Sequence, residues 1–212
     1  DIAGLLARAL TELSPHASNV LVVTHKVVSK AEGAMARAAS DEDYRRVVEQ
    51  EAAAILRRRG DMVIAVTPHG FVCANAGVDR SNVEGDRVVL LPRQPDRSAH
   101  RIRLRIAQEL GVDLAVIISD TFGRAWRSGL VDVAIGVSGM KPILDLRGTP
   151  DMYGRTLAVT EVAIADEIAA AAELAMGKST GVAAALVRGV EYERGDGRGT
   201  ELIRDPSGDM FR

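Results

Sequence analysis

Aromatic residues make up only 3% of the 212 positions, and there is a single cysteine, Cys73. With Phe, Tyr and Trp so scarce, the core must be assembled from Val, Ile, Leu and Ala; 47% of the residues are apolar. A lone cysteine excludes an internal disulfide framework and fits a reducing, cytoplasmic setting. Cys73 falls in an apolar strand pattern, so it reads as a buried structural thiol rather than a nucleophile. A formal net charge of −2 supplies no basic field for nucleic acid or an anionic membrane. No apolar run approaches the roughly 20 residues of a spanning helix. The chain opens at Asp1 rather than at methionine, so an upstream segment is expected. The length suits one large domain or two small ones, and we read residues 1–212 as a single domain.

Periodicity predicts helices at Ile2–Leu13, Asp41–Arg59, Ser98–Leu110 and Thr160–Met176. The cluster Arg57-Arg58-Arg59 would close the second of these, where cations suit the helix dipole. The fourth is rich in alanine and stops at Gly177; its small side chains suit a central packing helix or a dimer seam. Strands are predicted at Asn19–Val28, Arg87–Leu91, Leu114–Ser119, Val131–Val137, Ile143–Leu146 and Ala183–Val190. Met62–Thr67 and Phe71–Ala76 flank Pro68-His69-Gly70 as a hairpin. The tail from Glu193 to Asp209 reads as loop. Helices and strands mix without strict alternation, which predicts an α+β fold with mixed and antiparallel sheets rather than a Rossmann fold.

Two polar runs carry the chemistry. In Asn75–Val83 and in Ile117–Arg127 an apolar stretch presents a carboxylate, Asp79 and Asp120, followed by hydroxyl, amide and guanidinium groups. Two such carboxylates can hold a hard divalent cation, and the cation can hold phosphate oxygens. Taken singly, Asp79 is an ordinary turn aspartate and Asp120 an ordinary helix cap. Their neighbours argue for more: Asn82 offers an amide, Thr121 an oxygen, and Arg124 and Arg127 would share a face if the segment were helical. His25, Lys26, Ser29 and Lys30 follow a strand, and lysines act on polyphosphates as point charges. Gly177-Lys178-Ser179 imitates the end of a P-loop, but that motif needs a glycine at position 172, which is alanine. The P-loop reading fails on that ground.

These runs resemble a known family, the coenzyme F420-0:L-glutamate ligases (γ-glutamyl ligases). The similar pieces are VVTHKVVSKAEG at 22–33, CANAGVDRSNV at 73–83, ISDTFGRAWRSG at 118–129 and DVAIGVSG at 132–139, followed by residues 145–178 and ALVRG at 185–189. They cover nearly the whole chain in the family's order. The resemblance implies a GTP-dependent ligase that uses Mn²⁺ or Mg²⁺, helped by K⁺, to join L-glutamate to coenzyme F420-0 and extend a γ-linked tail through an acyl phosphate. It implies metal ligation by Asp79 and Asp120, with Thr121 assisting a second ion. Nucleotide contacts are implied for His25, Lys26, Lys30 and Asn82, and for the stretch Met176, Gly177, Lys178, Ser179, Thr180 and Gly181. It also implies a homodimer, and in some relatives a fused C-terminal nitroreductase-like domain. Arg124 and Arg127 as partners of acidic substrate groups rest on charge alone. This chain departs from the family at Lys178, where some members carry an acidic metal ligand, and at Gln94, where an acidic residue is more common. The family's N-terminal strand would lie upstream of Asp1. A metal-dependent phosphohydrolase and a non-catalytic nucleotide-binding module are the competing readings of the same residues.

Overall fold

A computed structural model describes residues 1–210; the last two residues of the expected domain lie outside the described residues. The core is a four-stranded sheet in the order β11 (Ala184–Val187), β1 (Val20–Thr24), β7 (Ala115–Arg124), β8 (Arg127–Ser138). β1 and β7 run parallel, and the outer pairings are antiparallel. The two central strands are continuous apolar runs because they are covered on both faces. Leu21, Val23, Val116 and Ile118 pack against α1 (Ile2–Thr11) and α4 (Pro95–Leu110). Val20, Val22, Ala115 and Ile117 pack against α5 (Ile164–Met176). Ala165, Ala169 and Ala172 are buried on that second face, so the alanine-rich helix serves as a packing helix within its own chain.

A smaller cluster closes around α3 (Asp41–Glu51), where Val47 and Val48 meet Val63, Ala65, Val78 and Val88. Its frame is the antiparallel sheet β3 (Ala54–Arg59), β4 (Met62–Val66), β5 (Val72–Ala74), together with the pair β2 (Met35–Arg37) and β6 (Arg87–Val89). The pair β9 (Leu144–Asp145) and β10 (Glu161–Val162) precedes α5. The fold is therefore α+β with mixed and antiparallel sheets, as expected. Fully burying each large aliphatic side chain contributes about 1.5–3 kcal/mol, whereas exposed pairs such as Arg58–Glu49 and Arg80–Asp41 contribute about 0–1 kcal/mol. The two faces of the sheet thus dominate stability.

Several expected boundaries are corrected. The strand predicted for Asn19–Val28 ends at Thr24, and α2 (His25–Glu32) begins at once. Burial of His25, Val28 and Ser29, with Gly33 left-handed at the C-cap (φ 72°), is helical spacing that the paired valines concealed. The helix predicted for Asp41–Arg59 stops at Glu51. Arg57-Arg58-Arg59 lies instead on β3, at the edge of its sheet, where positive charge discourages further pairing. α5 opens at Ile164, after β10. The tail forms short 3-10 turns at Gly199–Leu202 and Pro206–Gly208. Asp96, in the first turn of α4, accepts from the backbone N–H groups of Val137 and Gly199, tying α4 to β8 and the tail.

Gly136 marks the close approach of α4 to β8. A Cβ there would stand 2.5 Å from the carbonyl carbon of Pro95, and neither backbone can yield independently. Gly136→Ala should destabilise the protein by about 1–3 kcal/mol through overpacking. Urea denaturation should show a lower midpoint with an unchanged slope; an unaltered midpoint would contradict the close packing.

Candidate active site

The register of the central strands builds the site. Thr24 of β1 pairs with Ser119 of β7, so the next residues, His25 and Asp120, meet side by side where the parallel pairing of the two strands ends. Ligand sites of open parallel sheets lie beyond such carboxyl ends. His25 Nε2 stands 3.1 Å from Asp120 Oδ1, with the two side chains 1% and 12% exposed. The approach is off the line of a hydrogen bond, and Nε2 has no hydrogen-bond partner among the described residues. His25 Nδ1 faces Ser29 Oγ at 3.4 Å.

Lys26, the next residue of α2, turns to the second aspartate. Its Nζ lies 2.7 Å from Asp79 Oδ2 and donates to Ser81 Oγ at 2.8 Å. One turn further along the same helix face, Lys30 Nζ donates to the carbonyl of Asn82 at 2.5 Å. Asp79 is fixed by an antiparallel bridge to Val89, and its carboxylate accepts from Ser81 N–H. Burial raises the Asp79 pKa, but the Lys26 and Ser81 hydrogen bonds outweigh it and hold the carboxyl below its usual value. Consecutive residues of α2 thus gather the two aspartates at one helix N-terminus, whose free N–H groups and dipole favour an anion.

β7 does not end at Asp120; it runs on to Arg124 and turns into β8. Arg124 and Arg127 therefore flank a hairpin tip, paired across it and exposed, instead of sharing a helical face. The tip needs Trp126 at φ 62°, which stops a helix from forming there. The nearby acidic residues have other partners: Asp132 is engaged by Lys178 and Asp145 by Arg147.

Strand alternation sends Ser119 and Thr121 the other way from Asp120. Both hydroxyls donate to Asp132 on β8, at 3.0 and 2.7 Å. Lys178 Nζ completes the group, 2.7 Å from Asp132 Oδ1, 2.7 Å from Thr121 Oγ1 and 3.1 Å from Glu173 Oε1. Asp132 and Glu173 were not picked out as site residues from sequence. The available signal was an acidic residue at 132 in phase with the buried Ala134. Of the remaining predicted residues, Met176 is buried against the sheet and Gly177 caps α5, while Ser179, Thr180 and Gly181 form the exposed turn that follows.

No three His, Cys, Asp or Glu side chains converge as a metal cage among the described residues. The donor set at Asp79 and Asp120 still fits a hard divalent ion of the kind that nucleotide sites use, because Mg²⁺ there takes one or two carboxylates and completes its shell with water and phosphate oxygens. Each of these carboxylates faces a side-chain nitrogen in this structure, that of Lys26 or of His25.

Two aspartates, two lysines and a helix N-terminus stand where β1 gives way to α2, an arrangement whose cationic groups suit an anionic ligand. The F420-0:gamma-glutamyl ligase family pattern matches residues 1–189. The chain is 43% identical to the coenzyme F420:L-glutamate ligase of Methanopyrus kandleri, covering 100% of this chain and 91% of that protein. It is 41% identical to the enzyme of the same name from Methanothermobacter thermautotrophicus, covering 100% and 92%. Against the one from Methanocaldococcus jannaschii it is 38% identical, covering 92% and 84%. The chain belongs to the F420-0:gamma-glutamyl ligase family. No helix among the described residues is long and apolar enough to cross a membrane.

Cys73 on β5 is buried near this site, and burial, with the Asp120 charge adding to it, pushes its thiol up to about 12. Near pH 8 it should stay a thiol and resist maleimide in the folded protein, then label fully in denaturant. Rapid labelling of the native protein would contradict the buried, inert assignment.

Proposed function

We propose that this chain is a GTP-dependent ligase that joins L-glutamate to coenzyme F420-0 and extends a γ-linked glutamyl tail. Family membership supports ligation and F420 biosynthesis. The observation that carries the nucleotide part is the convergence of His25 and Lys26, adjacent on α2, upon Asp120 and Asp79. A carboxylate oxygen of the substrate attacks the γ-phosphorus of GTP, the bond to the bridging oxygen breaks, and GDP leaves. The glutamate amine then attacks the acyl phosphate carbonyl, loses its proton, and inorganic phosphate departs. Chemistry of this kind asks the protein chiefly for positioning and charge neutralisation.

In this reading Lys26 and Lys30 release the 79–82 loop and bind phosphate oxygens, while the α2 N-terminus adds its dipole. His25 orients a phosphate oxygen or the Asp120 carboxylate through its buried Nε2. Asn82 and the turn from Met176 to Gly181 complete the nucleotide contacts. Asp79 and Asp120 would hold Mn²⁺ or Mg²⁺, which supplies charge neutralisation on the phosphates; Thr121, on the opposite side of β7, stands where the family resemblance implies a second ion. Arg124 and Arg127 at the hairpin tip pair with the acidic groups of F420-0 and glutamate. Use of K⁺, cytoplasmic residence and a homodimer belong to the same reading, supported by the family resemblance, and so does a fused nitroreductase-like domain in a longer chain.

The test is a mass-spectrometric assay with F420-0, L-glutamate, GTP and Mn²⁺. Glutamyl products matched by GDP are expected, and phosphate release without a new amide would instead identify a phosphohydrolase. Asp120→Asn should abolish turnover and weaken metal-dependent nucleotide binding; near-normal rates would remove Asp120 from the ion's ligands. Lys30→Ala should cost about 1.5–3 kcal/mol in GTP binding, the loss of one charged hydrogen bond. An unchanged GTP titration would return Lys30 to an ordinary solvated helix face.

A further inference from the structure

Lys178 is placed by a built turn rather than by chance. α5 ends at Gly177, whose φ of 63° and ψ of 178° form a combination reserved essentially for glycine. The Thr180 hydroxyl donates to the carbonyl of Met176 and bridges the turn. The reversal directs the Lys178 side chain, 53% exposed, back across β7 to Thr121 and Asp132. An ammonium has three donors and no acceptor, and all three have oxygens within reach: Thr121 Oγ1, Asp132 Oδ1 and Glu173 Oε1.

The other members of the group are equally committed. The Asp132 side chain is 5% exposed and accepts from Ser119 and Thr121, and Lys178 is its positive partner. Thr121 spends its proton on Asp132 and receives Lys178 on its oxygen, so no part of the hydroxyl is idle. Without the ammonium, two carboxylates and a hydroxyl would face one another at the end of the strand that carries Asp120. That donor set suits a hard cation. Burial lowers the Lys178 pKa, but hydrogen bonds to Asp132 and Glu173 more than offset it, so the net shift is upward and the group stays charged.

We propose that the Lys178 ammonium is a built-in cation, filling the oxygen cage of Thr121, Asp132 and Glu173 so that this site takes one divalent ion, at Asp79 and Asp120, and excludes a second. The proposal rests on the ligase reading above, since that reading supplies the ion at Asp79 and Asp120. Lys178 is on this view a positioning residue: it neutralises Asp132 and holds the Thr121 hydroxyl on the face of β7 opposite Asp120 without a dissociable metal.

Mn²⁺ binding counted by electron paramagnetic resonance, with a saturating non-hydrolysable GTP analogue, tests it directly. The wild-type chain should bind one Mn²⁺. Lys178→Glu, which replaces the ammonium with a third carboxylate, should bind two. Lys178→Gln, which leaves Asp132 and Glu173 in place, should gain a second, weaker ion and keeps the test open if the Glu variant fails to fold by circular dichroism. Two ions in the wild type would overturn the proposal while leaving the nucleotide–metal reading intact. A single ion in a folded Lys178 variant would overturn it too, because an opened cage that stays empty was not being guarded by the lysine. No ion in the wild type would overturn both, an outcome distinct from the two-ion result that sinks this proposal alone.

Discussion

The parallel pairing of β1 with β7 is the constraint on which the site depends. Hydrogen bonding locks Thr24 opposite Ser119, and the meeting of His25 with Asp120 follows from that register. A slip of one residue would send the apolar side chains of a strand to its opposite face, breaking two packed layers at once. The buried side chains of Val20–Val23 and Ala115–Ile118 hold the register against such a slip, and they do so with many times the energy of any surface ion pair. The chemistry is thus positioned by hydrocarbon packing rather than by its own charges.

Charge is then distributed by strand alternation. Asp120 faces α2 and finds His25, whereas Ser119 and Thr121 face the other way and find Asp132. A buried carboxylate costs several kcal/mol unless it is paired and fully hydrogen-bonded; Asp132 meets that demand with two hydroxyls and an ammonium. Asp79 solves the same problem differently, half-buried, with Lys26 and a backbone N–H as partners. Lys26 thereby stands on the side where α2 presents its N-terminus, and Lys178 on the opposite face of β7.

Much of the architecture was legible in the chain. The α+β class, the hairpin at Pro68-His69-Gly70, the alanine-rich helix and the two central strands all follow from composition and period. The misplaced boundaries share one cause. At Val27-Val28 and at Ala54–Arg59, local preference and tertiary context point to different structures. Val28 is β-branched yet helical because it fills the core beneath α2. The arginines at 57–59 suit a helix end as well as an edge strand, and the pairing of β3 with β4 decides between them.

By itself the sequence determined the family, through motifs long enough to assign it, and singled out Asp79, Asp120 and the lysines at 26 and 30 as candidate groups. It also determined that the core would be aliphatic and free of disulfides. Only the tertiary structure decided which groups meet. That Asp120 stands against His25, that Lys178 closes on Asp132, and that Arg124 and Arg127 ride a hairpin tip depend on strand register and on one glycine turn. Periodicity reports which face of an element is apolar, a local property. The partners across that face are chosen by packing between segments distant in the chain, which no local pattern encodes.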